Sequence, residues 1–594
     1  MGARVNYARA SFAQRHPSVV WLAFVAPLGI YLTLFYAIPI LRVVAESVSF
    51  PHLSGRYYAR AFSDLTYLKI IWDTLKLSAI VSVVAVIVGY PIAYWLTRAR
   101  RAAFAIAMAC IVLPLWTSAL VRNYAWIIIL QRNGIIAHAF EALGIPAPKM
   151  LYNEFAIVVG MVYTLLPYTI LTLYGGLRQI KPSYMRAASA LGAAPVRAFL
   201  TVYLPLSLPA ISAATFLVFI FSIGFFITPA MLGGGHNGMI APQIEQQMNM
   251  LVQWGFGSAL AVILLAIVLA LLAICGRFLD AGLFGMTREK AKTQAEVSVP
   301  APLAVNAGAV RALHVASSRL ETVSGRWHRA PGGGRLALDV IVWTLLFVLL
   351  APVLIIVATS VTKTPYLAFP PQGFTLNWYA QFLGSSQWIA ATVLSFKVGI
   401  LAAAGASVLG TLAAIGFVRG EFAGKRVSFM LALAPQIVPA IVLAVGVYLF
   451  FAQIHLLGSI WSFVFAYIAL TVPIVMLLVS AALRQANVRL ERAAATLGAD
   501  PVRAFVAVTL PSIMPTVLAG ALFAFITAFD EVVIAQFLAG SLNATLPKLM
   551  YVTLIYSIDP TISAISTLLV FLSLIIVAVA ALFQRGAQTQ DATA

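Results

Sequence analysis

Hydrophobic residues along this chain fall in long unbroken runs, without the alternation of a half-buried strand or the single stripe of a surface helix. The runs stand at roughly 19–44, 72–97, 104–130, 154–178, 207–232 and 255–280, then at roughly 337–361, 389–418, 428–453, 461–483, 512–538 and 560–583. About 20 apolar residues in a helix cross the ~30 Å hydrocarbon core of a bilayer. The pattern therefore predicts an all-α, polytopic membrane protein of about 12 transmembrane helices in two sets of six. Composition agrees: 62% of residues are hydrophobic, 9% are charged and the mean hydropathy is +0.97. A soluble domain carries about a quarter charged residues, so a soluble class is excluded.

Basic residues give the expected orientation. With the N-terminus placed in the cytoplasm, 27 of the 38 lysines and arginines fall on the cytoplasmic side, as the positive-inside rule requires. The same bias accounts for most of the +20 net charge, so the charge does not call for nucleic acid as a partner. Arg4, Arg9 and Arg15 precede the first run, which is too long for a signal peptide, contains Pro27 and Pro39 and lacks a cleavage pattern; it reads as an uncleaved anchor. Cys110 and Cys275 lie in apolar runs and the seven histidines are scattered, so no metal site is expected.

The chain repeats itself. Arg186–Pro205 reads RAASALGAAPVRAFLTVYLP and Arg492–Pro511 reads RAAATLGADPVRAFVAVTLP, fourteen of twenty positions being identical at an offset of 306. Pro167 and Pro473 keep that offset, whereas Pro114 and Pro435 are 321 apart; the difference is assigned to a longer loop around 131–153. Six spans per copy make the halves parallel, not inverted. The expected division is 1–280, a polar linker at 281–336 on the cytoplasmic side, and 337–594. Each repeated segment, 183–205 and 487–511, reads as a helix stopped by Gly192 or Gly498, then a second helix opened by Pro195 or Pro501, with Asp500 as a cap. Prolines 205 and 511 are expected to end that second helix before the next span.

The spacing of Ala187-Ala188, Gly192 and Leu204-Pro205, and of Ala493-Ala494, Gly498 and Leu510-Pro511, resembles the EAA motif of ABC importer permeases. Arg186 and Arg492 replace its leading glutamate, with Glu491 one place earlier in the second copy. The stretches LPLWTSALVRNYAW (113–126), FSIGFFITPAMLGGG (221–235) and AFDEVVIAQFLAG (528–540) are similar to the two permeases of spermidine/putrescine-type importers, joined end to end. The resemblance implies coupling helices at Arg186, Ala187, Ala188, Gly192, Pro195, Arg197, Arg492, Ala493, Ala494, Gly498, Pro501 and Arg503. It also implies two cytoplasmic ABC ATPase subunits and an extracytoplasmic substrate-binding protein as partners. The chain has no G-x-x-x-x-G-K-[ST] loop, since GEFAGKRV carries Arg419 at the first glycine position; ATP and Mg²⁺ are expected on the partner ATPase. The chain itself is expected to be no enzyme and to hold no cofactor.

For the substrate pathway, Pro114, Pro435 and Pro439 mark span kinks that would free backbone groups beside a wet gap, with Trp116, Tyr124 and Trp126 nearby. Asp530 and Glu531 are carboxylates in an apolar run, placed near the outer end of its helix. An acid within a span needs a partner; Arg122 or Lys548 could supply one, or a cationic substrate could. The expected function is import of a small cationic, polyamine-like amino compound by alternating access. Alternatives are an ABC permease for an opine, an aminophosphonate, thiamine or iron(III), and a secondary transporter, which the repeated elbows and the dearth of mid-span carboxylates disfavour.

Overall fold

The computed structural model describes residues 17–234, 238–278, 333–364, 370–540, 543–556 and 559–576. Helices dominate, and the β-structure among the described residues is an isolated bridge between Thr362 and Phe374. The first copy contributes α1 (Trp21–Ser47), α2 (Leu65–Leu96), α3 (Arg101–Trp116), α4 (Ala119–Leu130), α5 (Glu154–Leu177), α6 (Pro182–Ala190), α7 (Pro195–Ile223), α8 (Ile227–Leu232), α9 (Ile240–Glu245) and α10 (Trp254–Phe278). The second repeats them in order as α11 (Gly333–Thr359), α12 (Ser386–Arg419), α13 (Lys425–Ile437), α14 (Ala440–Gln453), α15 (Ile460–Gln485), α16 (Val488–Thr496), α17 (Phe505–Phe529), α18 (Val533–Leu538), α19 (Leu546–Tyr556) and α20 (Thr561–Ile576). Side-chain caps start many of them. Asp64, Asn153 and Ser459 accept from the N–H groups of Thr66, Ala156 and Trp461 at 2.8, 2.9 and 3.2 Å, satisfying donors that a helix start leaves free.

Nine described helices are long and apolar enough to cross a membrane. The runs read as single spans at 104–130 and 428–453 are bent pairs, by 101° at residues 117–118 and by 97° at residues 438–439. Counting each as one span gives eleven. The twelfth predicted run is described only over Thr561–Ile576, a shorter helix. The linker at 281–336 lies almost wholly outside the described residues.

Within each copy, α2, α5 and α7, and likewise α12, α15 and α17, pack on one another. The first helices reach across to the other copy, although α1 also packs on α10 of its own. Helix α1 lies against α12 and α14, while α11 lies against α2, α3 and α4. Lipid offers apolar side chains the same company as protein does, so such contacts rest on close packing and hydrogen bonds. Both are present. Tyr31 donates to the Phe465 carbonyl at 2.6 Å, and the Phe35 ring stacks on Phe465 at 4.6 Å. In the reverse exchange the Trp95 indole donates to Asp339 at 2.5 Å, and Trp343 meets Trp95 edge-on. Gly416 lets α1 approach so closely that a Cβ there would stand 2.5 Å from Val25 and 3.1 Å from the Trp21 carbonyl.

Overpacking of this kind costs about 1–3 kcal/mol. Gly416→Val should therefore lower the thermal midpoint of the purified protein in detergent by several degrees. Gly175→Ala, where a Cβ meets nothing within 4 Å, should leave it unchanged; equal midpoints would show that α1 is not seated through Gly416.

Candidate functional site

The repeated segments form matching elbows. Gly192 and Gly498 adopt φ of 81° and 88°, a left-handed conformation that glycine enters without the steric cost borne by other residues. The next N–H groups, of Ala193 and Ala499, return to the carbonyls of Ala188 and Ala494 at 3.0 and 3.1 Å. Asp500 accepts from the Arg503 N–H at 2.7 Å, the cap expected from sequence. The expected break at Pro205 and Pro511 does not occur. A π turn at Phe199–Tyr203, and its copy at Phe505–Thr509, carries the helix through, with Leu204 and Leu510 bonding back to Phe199 and Phe505. The wider turn accommodates the missing proline N–H and its ring, so the elbow is continuous with its span.

Arg186, Ala187, Pro195, Arg492, Ala493, Gly498 and Arg503 are exposed, Arg197 is at the surface, and Ala188 and Ala494 turn inward. Pro501 opens its helix as expected. Sequence reasoning passed over the most exposed apolar pair: Leu191 and Leu497 are both 89% exposed, one residue before each glycine. Tyr184 and Leu490, also 306 apart, are exposed on the preceding helices. The repeat offset was the signal that could have found them.

The elbows are tied to the rest of each copy by different chemistry at equivalent positions. Arg419, at the end of α12, makes a two-pronged ion pair with Glu491, its Nη2 at 2.7 Å from Oε1, and Thr509 also bonds to that carboxylate. The Arg419 guanidinium holds the Glu491 carboxyl below the usual glutamate range. The pair therefore stays charged at neutral pH, and its contribution is lost only as pH falls through that lowered value. In the first copy Arg98, 321 residues before Arg419, lies 3.8 Å from the centre of the Tyr94 ring and 5.3 Å from that of Tyr203. Tyr203 is the counterpart of Thr509, and Met185 that of Glu491.

A second locus lies where broken spans of the two copies cross. Asp530 follows the last residue of α17 and reaches into the break between α3 and α4. Its Oδ2 accepts from the Ala119 N–H at 3.1 Å, with Ser118 beside its carboxylate. Its Oδ1 is buried without a hydrogen-bond partner. Beside it a small cleft is lined by Trp116, Ser118, Phe525, Phe529 and Asp530, and the Trp116 ring packs on Phe523 at 4.8 Å. At the equivalent crossing Gly224 abuts the Pro439 ring. Only one of the two crossings carries a charge.

Several expectations are corrected here. Asp530 and Glu531 do not lie on a helix that continues past them: α17 ends at Phe529, and Glu531 accepts from Ile534 N–H at 2.8 Å to cap α18. Neither expected partner makes a direct ion pair with them, although Arg122 stands near enough to attract Asp530. Arg122 donates to the Pro114 carbonyl at 3.1 Å and Lys548 to the Ala539 carbonyl at 3.2 Å. Tyr124 is fully buried and receives a hydrogen bond from Ser563 at 3.1 Å, so it joins the copies but lines no gap. Trp126 packs edge-on against Tyr163 of its own copy. Of the three aromatics only Trp116 borders open space. A further carboxylate, Glu245 on α9, is buried, bonded to Asn249 at 3.2 Å and facing Gln536 of the second copy. Its local signal was an acid in the apolar stretch MIAPQIEQQM.

The family model described as "Binding-protein-dependent transport system inner membrane component" matches the chain twice, over residues 82–283 and 406–588. The chain is 32% identical to the spermidine/putrescine transport system permease protein PotB of Haemophilus influenzae over 243 residues, 39% of this chain and 84% of that protein. It is 32% identical to the putrescine transport system permease protein PotI of Escherichia coli over 231 residues, 37% of this chain and 81% of that protein. The E. coli PotB is 28% identical over 244 residues, 39% of this chain and 88% of that protein. Each relative thus matches about two fifths of a chain that carries the permease domain twice. With its many apolar helices this is a multi-pass inner membrane protein, a transport component and not an enzyme. The chain belongs to the family of binding-protein-dependent transport system inner membrane components, with two permease domains fused in one polypeptide.

Proposed function

We propose that the chain forms the transmembrane pathway of an ATP-driven importer for a small cationic amino compound, working by alternating access. The observation that carries this reading is the pair of elbows, each a helix stopped by a left-handed glycine and tipped by a bare leucine. Single exposed leucines are ordinary on a surface, but two at the same place in both copies fit one kind of pocket used twice. Each elbow would seat Leu191 or Leu497 in a cytoplasmic ABC ATPase subunit, which binds ATP and Mg²⁺. The elbow end would face the cytoplasm together with both termini, and a separate binding protein would deliver substrate at the opposite face.

The substrate class rests on the charged crossing and on the named relatives. Asp530 offers a buried oxygen without a partner beside Trp116, Phe525 and Phe529. Carboxylate and aromatic faces together suit an ammonium group. A ferric or thiamine cargo would be distinguished by competition in uptake assays.

Gly192→Val with Gly498→Val should leave the spans inserted, since a side chain there meets open space and the penalty is the left-handed backbone itself, about 1–2 kcal/mol per site. Substrate-stimulated ATP hydrolysis in proteoliposomes containing the partner ATPase should fall roughly tenfold or more; unchanged stimulation would remove the docking role.

Asp530→Asn should lower uptake of putrescine by about tenfold, the effect of losing one charged hydrogen bond of roughly 1.5–3 kcal/mol, while the permease still assembles with its ATPase. Normal uptake would make the carboxylate a structural cap only. In cysteine labelling with a water-soluble reagent, Trp116→Cys should react and Tyr124→Cys should not; an inert position 116 would place the pathway elsewhere.

A further inference from the structure

Each elbow is connected to the opposite end of the molecule by a helix of its own copy. Helix α12 runs unbroken for 34 residues and α2 for 32, whereas α7 and α17, which continue the elbows directly, are interrupted after Ile223 and Phe529. At the elbow end, Arg419 grips Glu491 and Arg98 covers Tyr203. Toward the other end, Ser395 of α12 accepts from the Leu546 N–H, the first of α19, at 2.8 Å. Thr74 of α2 accepts from the Ile240 N–H, the first of α9, at 2.9 Å. Both hydroxyls are about 2% exposed. The contacts are duplicated in register: Arg98 and Arg419, and Thr74 and Ser395, are 321 apart, while Ile240 and Leu546, and Tyr203 and Thr509, are 306 apart.

We propose that α2 and α12 are rigid levers that carry elbow movement to the short helices α9 and α19, with Arg98 and Arg419 as the clamps and Thr74 and Ser395 as the hinge pins. From Ser395 to Arg419 a helix rises about 36 Å, and from Thr74 to Leu96 about 33 Å, enough to cross the ~30 Å hydrocarbon core. The short helices stand where the copies close on one another. Glu245 at the end of α9 faces Gln536 of the second copy, and Pro547 of α19 borders the cleft beside Asp530. A first-turn N–H at membrane depth has no water to turn to, so α9 and α19 must follow the hydroxyl that satisfies them. Coupling through a path of contacts counts only when both ends bias the same movement, and this supplies the test. The clamps differ in kind: the ionic one is open to salt and charge reversal, the aromatic one far less so. The levers are positioning elements, and the proposal rests on the elbows docking the ATPase.

The experiment uses the full complex in proteoliposomes, with Glu245→Cys and Gln536→Cys introduced as a cross-linking pair that reports closure. In this parent, a non-hydrolysable ATP analogue should lower cross-linking by about tenfold. Adding Thr74→Val with Ser395→Ala should reduce that response to less than about twofold while basal ATP hydrolysis and bound ATPase stay as they were. Thr74→Ser with Ser395→Thr, which keep the acceptor oxygen, should restore the parent response. Arg419→Glu should blunt the response, and combining it with Glu491→Arg should recover it. A full nucleotide response without the two hydroxyls would overturn the levers, as would failure of the hydroxyl-keeping pair to rescue. Should Thr74→Val fail to accumulate in the membrane, Ser395→Ala alone gives the same reading for the second copy. Loss of the nucleotide response in the parent, or of the ATPase from it, would instead overturn the docking on which the levers depend.

Discussion

A helix broken inside lipid exposes backbone N–H groups that no water can reach, and only protein can satisfy them. This chain breaks its helices repeatedly, at residues 117–118, 438–439, 224–226 and 530–532, and several buried polar side chains answer such breaks and the helix starts near them. Asp530 covers Ala119 across the copies, Glu531 covers Ile534, and Thr74 and Ser395 cover Ile240 and Leu546. Arg122 takes the carbonyl side of the same problem at Pro114. These side chains make broken helices tolerable.

The two copies solve shared problems with different chemistry. One elbow is held by an arginine–carboxylate pair and the other by an arginine over tyrosine rings; one crossing of broken spans carries Asp530 and the other Gly224 against Pro439. The backbone plan is preserved while the side chains at equivalent positions differ in kind. A second buried carboxylate at the other crossing would add a desolvation cost of a few kcal/mol.

Reciprocal exchange of α1 and α11 makes the permease domains mutually dependent. Each copy's bundle is completed by the other's first helix, seated through Gly416 and pinned by Tyr31 and Asp339. The exchanged helices thus join the copies independently of the contacts around Asp530 and Glu245.

The sequence by itself determined what depends on short range. Apolar runs located most spans because the cost of polar groups in lipid is local, although the runs at 207–232 and 512–538 belong to helices Pro195–Ile223 and Phe505–Phe529, and the offset of 306 exposed the duplicated elbows. Gly192 and Gly498 were legible because a left-handed stop is written in the residue type, as was the cap at Asp500. Tertiary structure decided the rest. Prolines 114 and 439 announced disturbance, but whether a span kinks or folds back by about a right angle depends on what meets the freed groups. Prolines 205 and 511 gave a false stop, since a π turn supported by neighbouring spans absorbs them. The exchange of first helices, the partner of Asp530 411 residues away, the burial of Glu245 against Gln536 and the clamp between Arg419 and Glu491 join residues far apart in the chain. Such contacts are chosen by the packing of whole helices, and no local pattern of residues records which helix will lie beside which.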